Sequence, residues 1–144
     1  ALEDVADASL PWPYWPRTLR MHPLTRYDAT EDGNVLLEVR LEFRDLDDVP
    51  TRAYGLLRIT LEPIEPDESD VPALWEVDLR DLEVNRRQFD EVMGSYLFRL
   101  DVAPARRGEP LLVSAYYQGT DGQQITSRRE LVGGRPELPE SEAE

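Results

Sequence analysis

A chain of 144 residues is long enough for one domain that buries about two-thirds of its unfolded surface, and too short to expect two. Thirty acidic residues against 16 basic ones give a net charge of −14, a surface that repels phosphate backbones and anionic lipid and so argues against nucleic acid as a partner. Cysteine is absent, which removes disulfides, thiolate metal sites and cysteine nucleophiles together, and no apolar run approaches the roughly 18 residues of a membrane span.

Every basic residue is arginine, and isoleucine occurs only at Ile59, Ile64 and Ile125. Both biases fit a GC-rich genome, and the acidic excess also fits adaptation to high salt. Twelve prolines and eight glycines suit many short strands better than long helices.

In chain order, residues 1–9 (ALEDVADAS) read as a solvated spacer of the kind that follows a leader or lipid anchor. The expected location is therefore extracytoplasmic: periplasmic or attached to the cell envelope. Pro11 to Pro16 spells PWPYWP, whose alternating prolines fix φ and predict an extended, polyproline-like or strand-edge arm. This gathers Trp12, Tyr14 and Trp15. Two roles suit them: a plug across one open end of the fold, or an exposed patch for a protein or polymer partner or a carbohydrate.

From there on the pattern alternates at period two. Thr18 to Leu24 is the expected first strand. Val35 to Arg44 places Val35, Leu37, Val39, Leu41 and Phe43 on one face, with Glu38, Arg40, Glu42 and Arg44 on the other. The alternating signs of that second face allow charge pairs across neighbouring strands. Tyr54 to Glu62 turns Leu57, Ile59 and Leu61 inward, and Leu74 to Arg80 does the same with Trp75, Val77 and Leu79. Tyr96 to Val102 repeats the pattern, Leu111 to Gln118 is apolar on both faces as a central strand should be, and Gln124 to Val132 suits an edge.

Asp-Gly pairs at Asp32-Gly33 and Asp121-Gly122 mark hairpins, and Pro63 to Pro72 is a polar connection. Asp81 to Met93 interrupts the strands. Leu82, Phe89, Val92 and Met93 lie near helical spacing, Asp81 can cap the start and Gly94 can stop the end, so a single helical turn crossing between sheets is expected. The expected fold is an all-β antiparallel sandwich of about seven strands with at most one short helical crossover. Residues 1–16 form the spacer and arm, 17–132 the sandwich, and 133–144 an acidic, disordered tail.

Few residues offer chemistry. His22 is the sole histidine, and neither Ser114 nor Ser127 sits in a nucleophile elbow, so a structural histidine is expected and no catalytic residue is assigned. Glu76 and Asp78 share a strand face beside Trp75 at a spacing compatible with glycoside hydrolysis, but they are interleaved with arginine rather than apolar residues. Asp28 to Gly33 opens like a calcium loop, yet its twelfth position is Val39 with Glu38 one place early, which rejects an EF-hand. Asp45, Asp47 and Asp48 (DLDD) leave one strand together and are the candidate set for a hard cation such as calcium. The arginine pairs 86–87, 106–107 and 128–129 complement local carboxylates rather than forming a nucleic-acid stripe.

Phe43-Arg-Asp-Leu-Asp-Asp followed by Gly55-Leu-Leu-Arg-Ile-Thr-Leu resembles the strand–turn–strand unit of bacterial immunoglobulin-like and transthyretin-like modules. Trp75-Glu-Val-Asp-Leu and Tyr96-Leu-Phe-Arg-Leu are similar to their later strands, so the likeness spans residues 17 to 132. It departs at Asp48, where those modules place a turn glycine. The resemblance implies a noncatalytic spacer or binding unit of an exported protein. A calcium-dependent binding domain and a glycan-active enzyme are the alternatives.

Overall fold

The computed structural model describes residues 12–23, 25–29, 35–65, 71–102 and 110–131. The expected spacer, the first Asp-Gly turn, the Arg106-Arg107 pair and the acidic tail lie outside them, as do residues 66–70 of the Pro63–Pro72 connection. Among the described residues, ten strands and one helix follow in order: β1 (Thr18–Met21), β2 (Arg26–Ala29), β3 (Val35–Arg44), β4 (Pro50–Thr51), β5 (Gly55–Pro63), β6 (Ala73–Asp78), α1 (Leu82–Gln88), β7 (Phe89–Asp90), β8 (Ser95–Val102), β9 (Leu111–Gly119) and β10 (Gln124–Leu131).

All pairings are antiparallel and build two sheets. The first runs β1-β3-β8-β7, with β2 and β4 also paired to β3; the second runs β10-β9-β5-β6. The all-β sandwich is therefore as the alternation predicts, and the seven expected strands are present. Short β2, β4 and β7 add to them. β9 is central and β10 an edge.

The core is the set of inward positions of the two sheets. Leu37, Val39, Leu41 and Phe43 of β3 face Leu57, Ile59 and Leu61 of β5 and Leu111, Val113 and Ala115 of β9, all fully buried or nearly so. Fully burying one such aliphatic side chain is worth about 1.5–3 kcal/mol. Phe43 packs edge-on against Tyr96 and Tyr117, with ring centres 5.9 and 4.8 Å apart.

The outward face of β3 carries the expected charge ladder. Glu38 stands opposite both Arg26 of β2 and Arg99 of β8 and accepts a hydrogen bond from each, at 2.9 and 3.2 Å. Burial pushes its carboxyl up, but those two bonds outweigh it and hold it below the usual range. At the corner where β1 meets β10, the Met21 amide donates to Ser127 Oγ at 3.2 Å and ties the sheets together.

Three buried polar side chains organise the crossings at one end. The chain passes from the first sheet to the second through Arg52–Tyr54, whose backbone leaves any ladder. The Ala53 amide donates to the Tyr96 hydroxyl (2.9 Å) and the Tyr54 amide to the Tyr117 hydroxyl (3.1 Å). Asn85 of α1 donates to the carbonyls of Ala53 and Leu79 (2.7 and 2.8 Å), while its own oxygen accepts from Tyr96 Oη at 2.7 Å. Backbone groups that would otherwise be buried unpaired are thus satisfied.

Helix α1 crosses between the sheets as expected, and Asp81 caps it, accepting from the amides of Glu83 and Val84. Its inward anchor is Asn85, however. Leu82, Val92 and Met93 are exposed, and the helix ends at Gln88 rather than at Gly94. The reason is competition: Phe89 and Asp90 pair with Tyr96 and Ser95 as β7. Gly94 (φ 67°) instead closes the β7–β8 turn, with its amide bonded to the Asp90 carbonyl.

Candidate functional site

Within the PWPYWP segment, residues 12–16 turn rather than running extended. The Trp15 amide reaches the Trp12 carbonyl at 3.5 Å, which puts Pro13 at the second position of a turn, where its fixed φ fits. The Pro13 carbonyl accepts from the Leu46 amide at 3.1 Å, and the Arg17 amide donates to the Arg44 carbonyl at 2.7 Å. The arm is thereby docked on the β3–β4 loop. Trp12 and Tyr14 remain 58% and 49% exposed and pack edge-on at 5.0 Å, while Trp15 is half-buried and Pro16 buried. Leu46 and Val49 of the adjoining loop are exposed as well.

That loop contains the candidate cation ligands, and the structure gives them separate tasks. Asp45 is 7% exposed, and its Oδ1 accepts from the amides of Asp47 (2.9 Å) and Val49 (3.1 Å). It thus holds the turn from within. Asp48 adopts the left-handed φ of 64° that a glycine would otherwise supply, and its carboxylate lies 3.6 Å from Arg44. Asp47 points to solvent. Among the described residues, no three carboxylate or imidazole groups come together to hold a metal ion.

Glu76 and Asp78 lie on the outer face of the second sheet. Register sets the rows across that face. One row reads Asp78, Leu56, Gln118, Gln124; the next reads Glu76, Arg58, Tyr116, Thr126; a third reads Leu74, Thr60, Ser114, Arg128. The first two rows line a groove of about 470 Å³. Glu76 pairs with Arg58 at 3.3 Å. Asp78 receives two bonds from the Arg80 guanidinium (2.8 and 3.0 Å) and one from its amide, and these hold its carboxyl below the usual range. A general acid needs the opposite shift.

Tyr116 has an unusual posture. Its hydroxyl interacts with Arg128, Ser114 and Thr60, which occupy the neighbouring row. One row step is about 6.8 Å along the strand. The ring must therefore lie down along the sheet instead of standing off it. Ser114 of that row also points outward by alternation, yet it is 1% exposed and its hydroxyl has no hydrogen-bond partner among the described residues. The bond from Arg128 outweighs burial and lowers the Tyr116 phenol below its ordinary value.

His22 follows β1 directly, its amide bonded to the Arg40 carbonyl at 2.7 Å and its carbonyl accepting from the Thr25 amide at 2.9 Å. Ser127 accepts from Met21 at the seam, and Ser114 is buried on β9 opposite Thr60, on different features of the fold. Sequence reasoning found Glu76, Asp78, Trp12 and Tyr14 but missed Tyr116, Gln118 and Gln124. The Asp121-Gly122 hairpin was the available signal, since a turn fixes which residues of β9 and β10 face each other. Comparison of the chain with family models, with curated proteins and with solved structures finds no match.

Proposed function

We propose that the chain is a noncatalytic binding module of immunoglobulin-like or transthyretin-like type, exported or envelope-attached, which contacts a protein or polymer partner through its aromatic end. The observation that carries this reading is the exposure of Trp12 and Tyr14 beside Leu46. The arm that bears them is hydrogen-bonded to the β3–β4 loop, so the aromatics are presented in a fixed arrangement. Adjacent aromatics left in water are typical of the anchors that dominate binding surfaces. A noncatalytic role is further supported by the pairing of both groove carboxylates with arginine.

A photo-crosslinking residue at position 14, in the chain expressed in its native cells, tests the reading. It is expected to give a discrete adduct in the envelope fraction, lost on Leu46→Asp, whereas the same residue at exposed position 83 of α1 gives none. Equal labelling from both positions, or a chain confined to the cytosolic fraction, would contradict it.

A further inference from the structure

We propose that the outer groove of the second sheet, around Tyr116, is a binding site for an uncharged oligosaccharide or polysaccharide, separate from the aromatic end. Saccharides combine two surfaces: an apolar C–H face, which stacks on an aromatic ring, and a rim of hydroxyls that both donate and accept. The groove supplies the complement of each. Tyr116 lies along the sheet, its hydroxyl among Arg128, Ser114 and Thr60 of the next row, so one face of its ring is offered as a platform. On the adjoining row, Gln118 and Gln124 stand opposite each other across β9 and β10, both exposed. Among the described residues their amides bond to no other side chain. Each can donate and accept at once, as a sugar hydroxyl requires.

Charge selects the occupant. Arg58 is matched by Glu76 and Arg80 by Asp78, which leaves no unpaired charge among the described residues that line the groove to recognise an ionic group. The chain's net −14 repels polyanions such as uronate polymers or nucleic acid. An uncharged polyhydroxylated chain is what remains complementary. The volume of about 470 Å³ lies within the roughly 300–1,000 Å³ range of small-ligand sites.

The test is calorimetric titration of the full chain with a panel of neutral hexasaccharides (gluco-, manno-, xylo- and chito-configured) and with polygalacturonate as the anionic counterpart. Amide NMR shifts report the location. At least one neutral hexasaccharide is expected to bind, with shifts centred on Gln118 and Gln124. Tyr116→Ala should weaken it by about tenfold or more, and Gln124→Ala several-fold. Tyr116→Phe, which keeps the ring, serves as a control for folding and is expected to retain most of the affinity. Trp12→Ala should leave binding unchanged, which separates this site from the aromatic end. The proposal is overturned if no neutral saccharide binds at millimolar concentration, if polygalacturonate binds as well, or if affinity survives both Tyr116→Ala and Gln124→Ala.

Discussion

Tyr117 shows how a single hydroxyl in a core is constrained by its surroundings. Its Oη accepts from the Tyr54 amide and donates to the Tyr54 carbonyl, both at 3.1 Å. Burial pushes the phenol up to about 12, against the helping effect of the backbone bond. In the unfolded chain the phenol titrates near 10, so between about pH 10 and 12 the folded state holds the extra proton. The stabilisation is complete below pH 10 and drains away as pH rises to 12. Chemical denaturation from pH 9 to 12 should therefore show a steep loss of stability. In Tyr117→Phe the slope should be shallower, although that variant starts lower by about 0.5–1.5 kcal/mol because the Tyr54 amide loses its hydrogen-bond acceptor. An unchanged slope would assign alkaline sensitivity elsewhere. Tyr96, also raised by burial, contributes in the same direction.

Among the elements, those with a repeating pattern were readable and those held by one or two contacts were not. β3 and β5 declare themselves because five and three apolar residues, respectively, recur at every second position. Two-residue strands such as β4 and β7 have no period to detect; they exist because Phe43 and Tyr96 offer them a partner. The inward residue of α1 was hidden for a different reason. Asn85 looks like a surface residue until the Ala53 and Leu79 carbonyls are seen beside it. The groove was half legible: alternation places Glu76 and Asp78 outward, but only register brings Arg58 and Tyr116 alongside.

The β3–β4 loop belongs to this scale too. Asp45 closes it through two backbone amides, a role that calcium neither needs nor improves. Asp45→Ala should cost about 1–2 kcal/mol, comparable to the loss of a helix cap. Millimolar calcium should leave the melting temperature of the parent chain unchanged. A rise that grows with calcium concentration would restore the cation reading of Asp45, Asp47 and Asp48.

For the molecule as a whole, the charge excess opposes the compact state. The described ion pairs are contacts of about 3–4 Å, inside the roughly 10 Å screening length of 0.1 M salt, whereas the repulsion among the remaining carboxylates acts over longer distances. Added salt therefore screens repulsion more than attraction. Melting temperature should climb by several degrees between about 10 and 150 mM sodium chloride, a gain on the order of 1 kcal/mol. A falling melting temperature would mean that the ion-pair ladder around Glu38 outweighs the global charge.

The pairing of strands distant in sequence also dictates when the chain is able to fold. β5 finds its main neighbour in β9, and β1 closes against β10. A nascent chain that has emerged only through β8 has an unfinished second sheet, with the hydrogen-bonding edge of β5 that β9 will occupy left unpaired. Folding must wait until Leu131 has left the ribosome, and then proceeds at the slow rates typical of β topologies with distant contacts. In that interval the half-made chain needs a holding factor more than its finished form ever does.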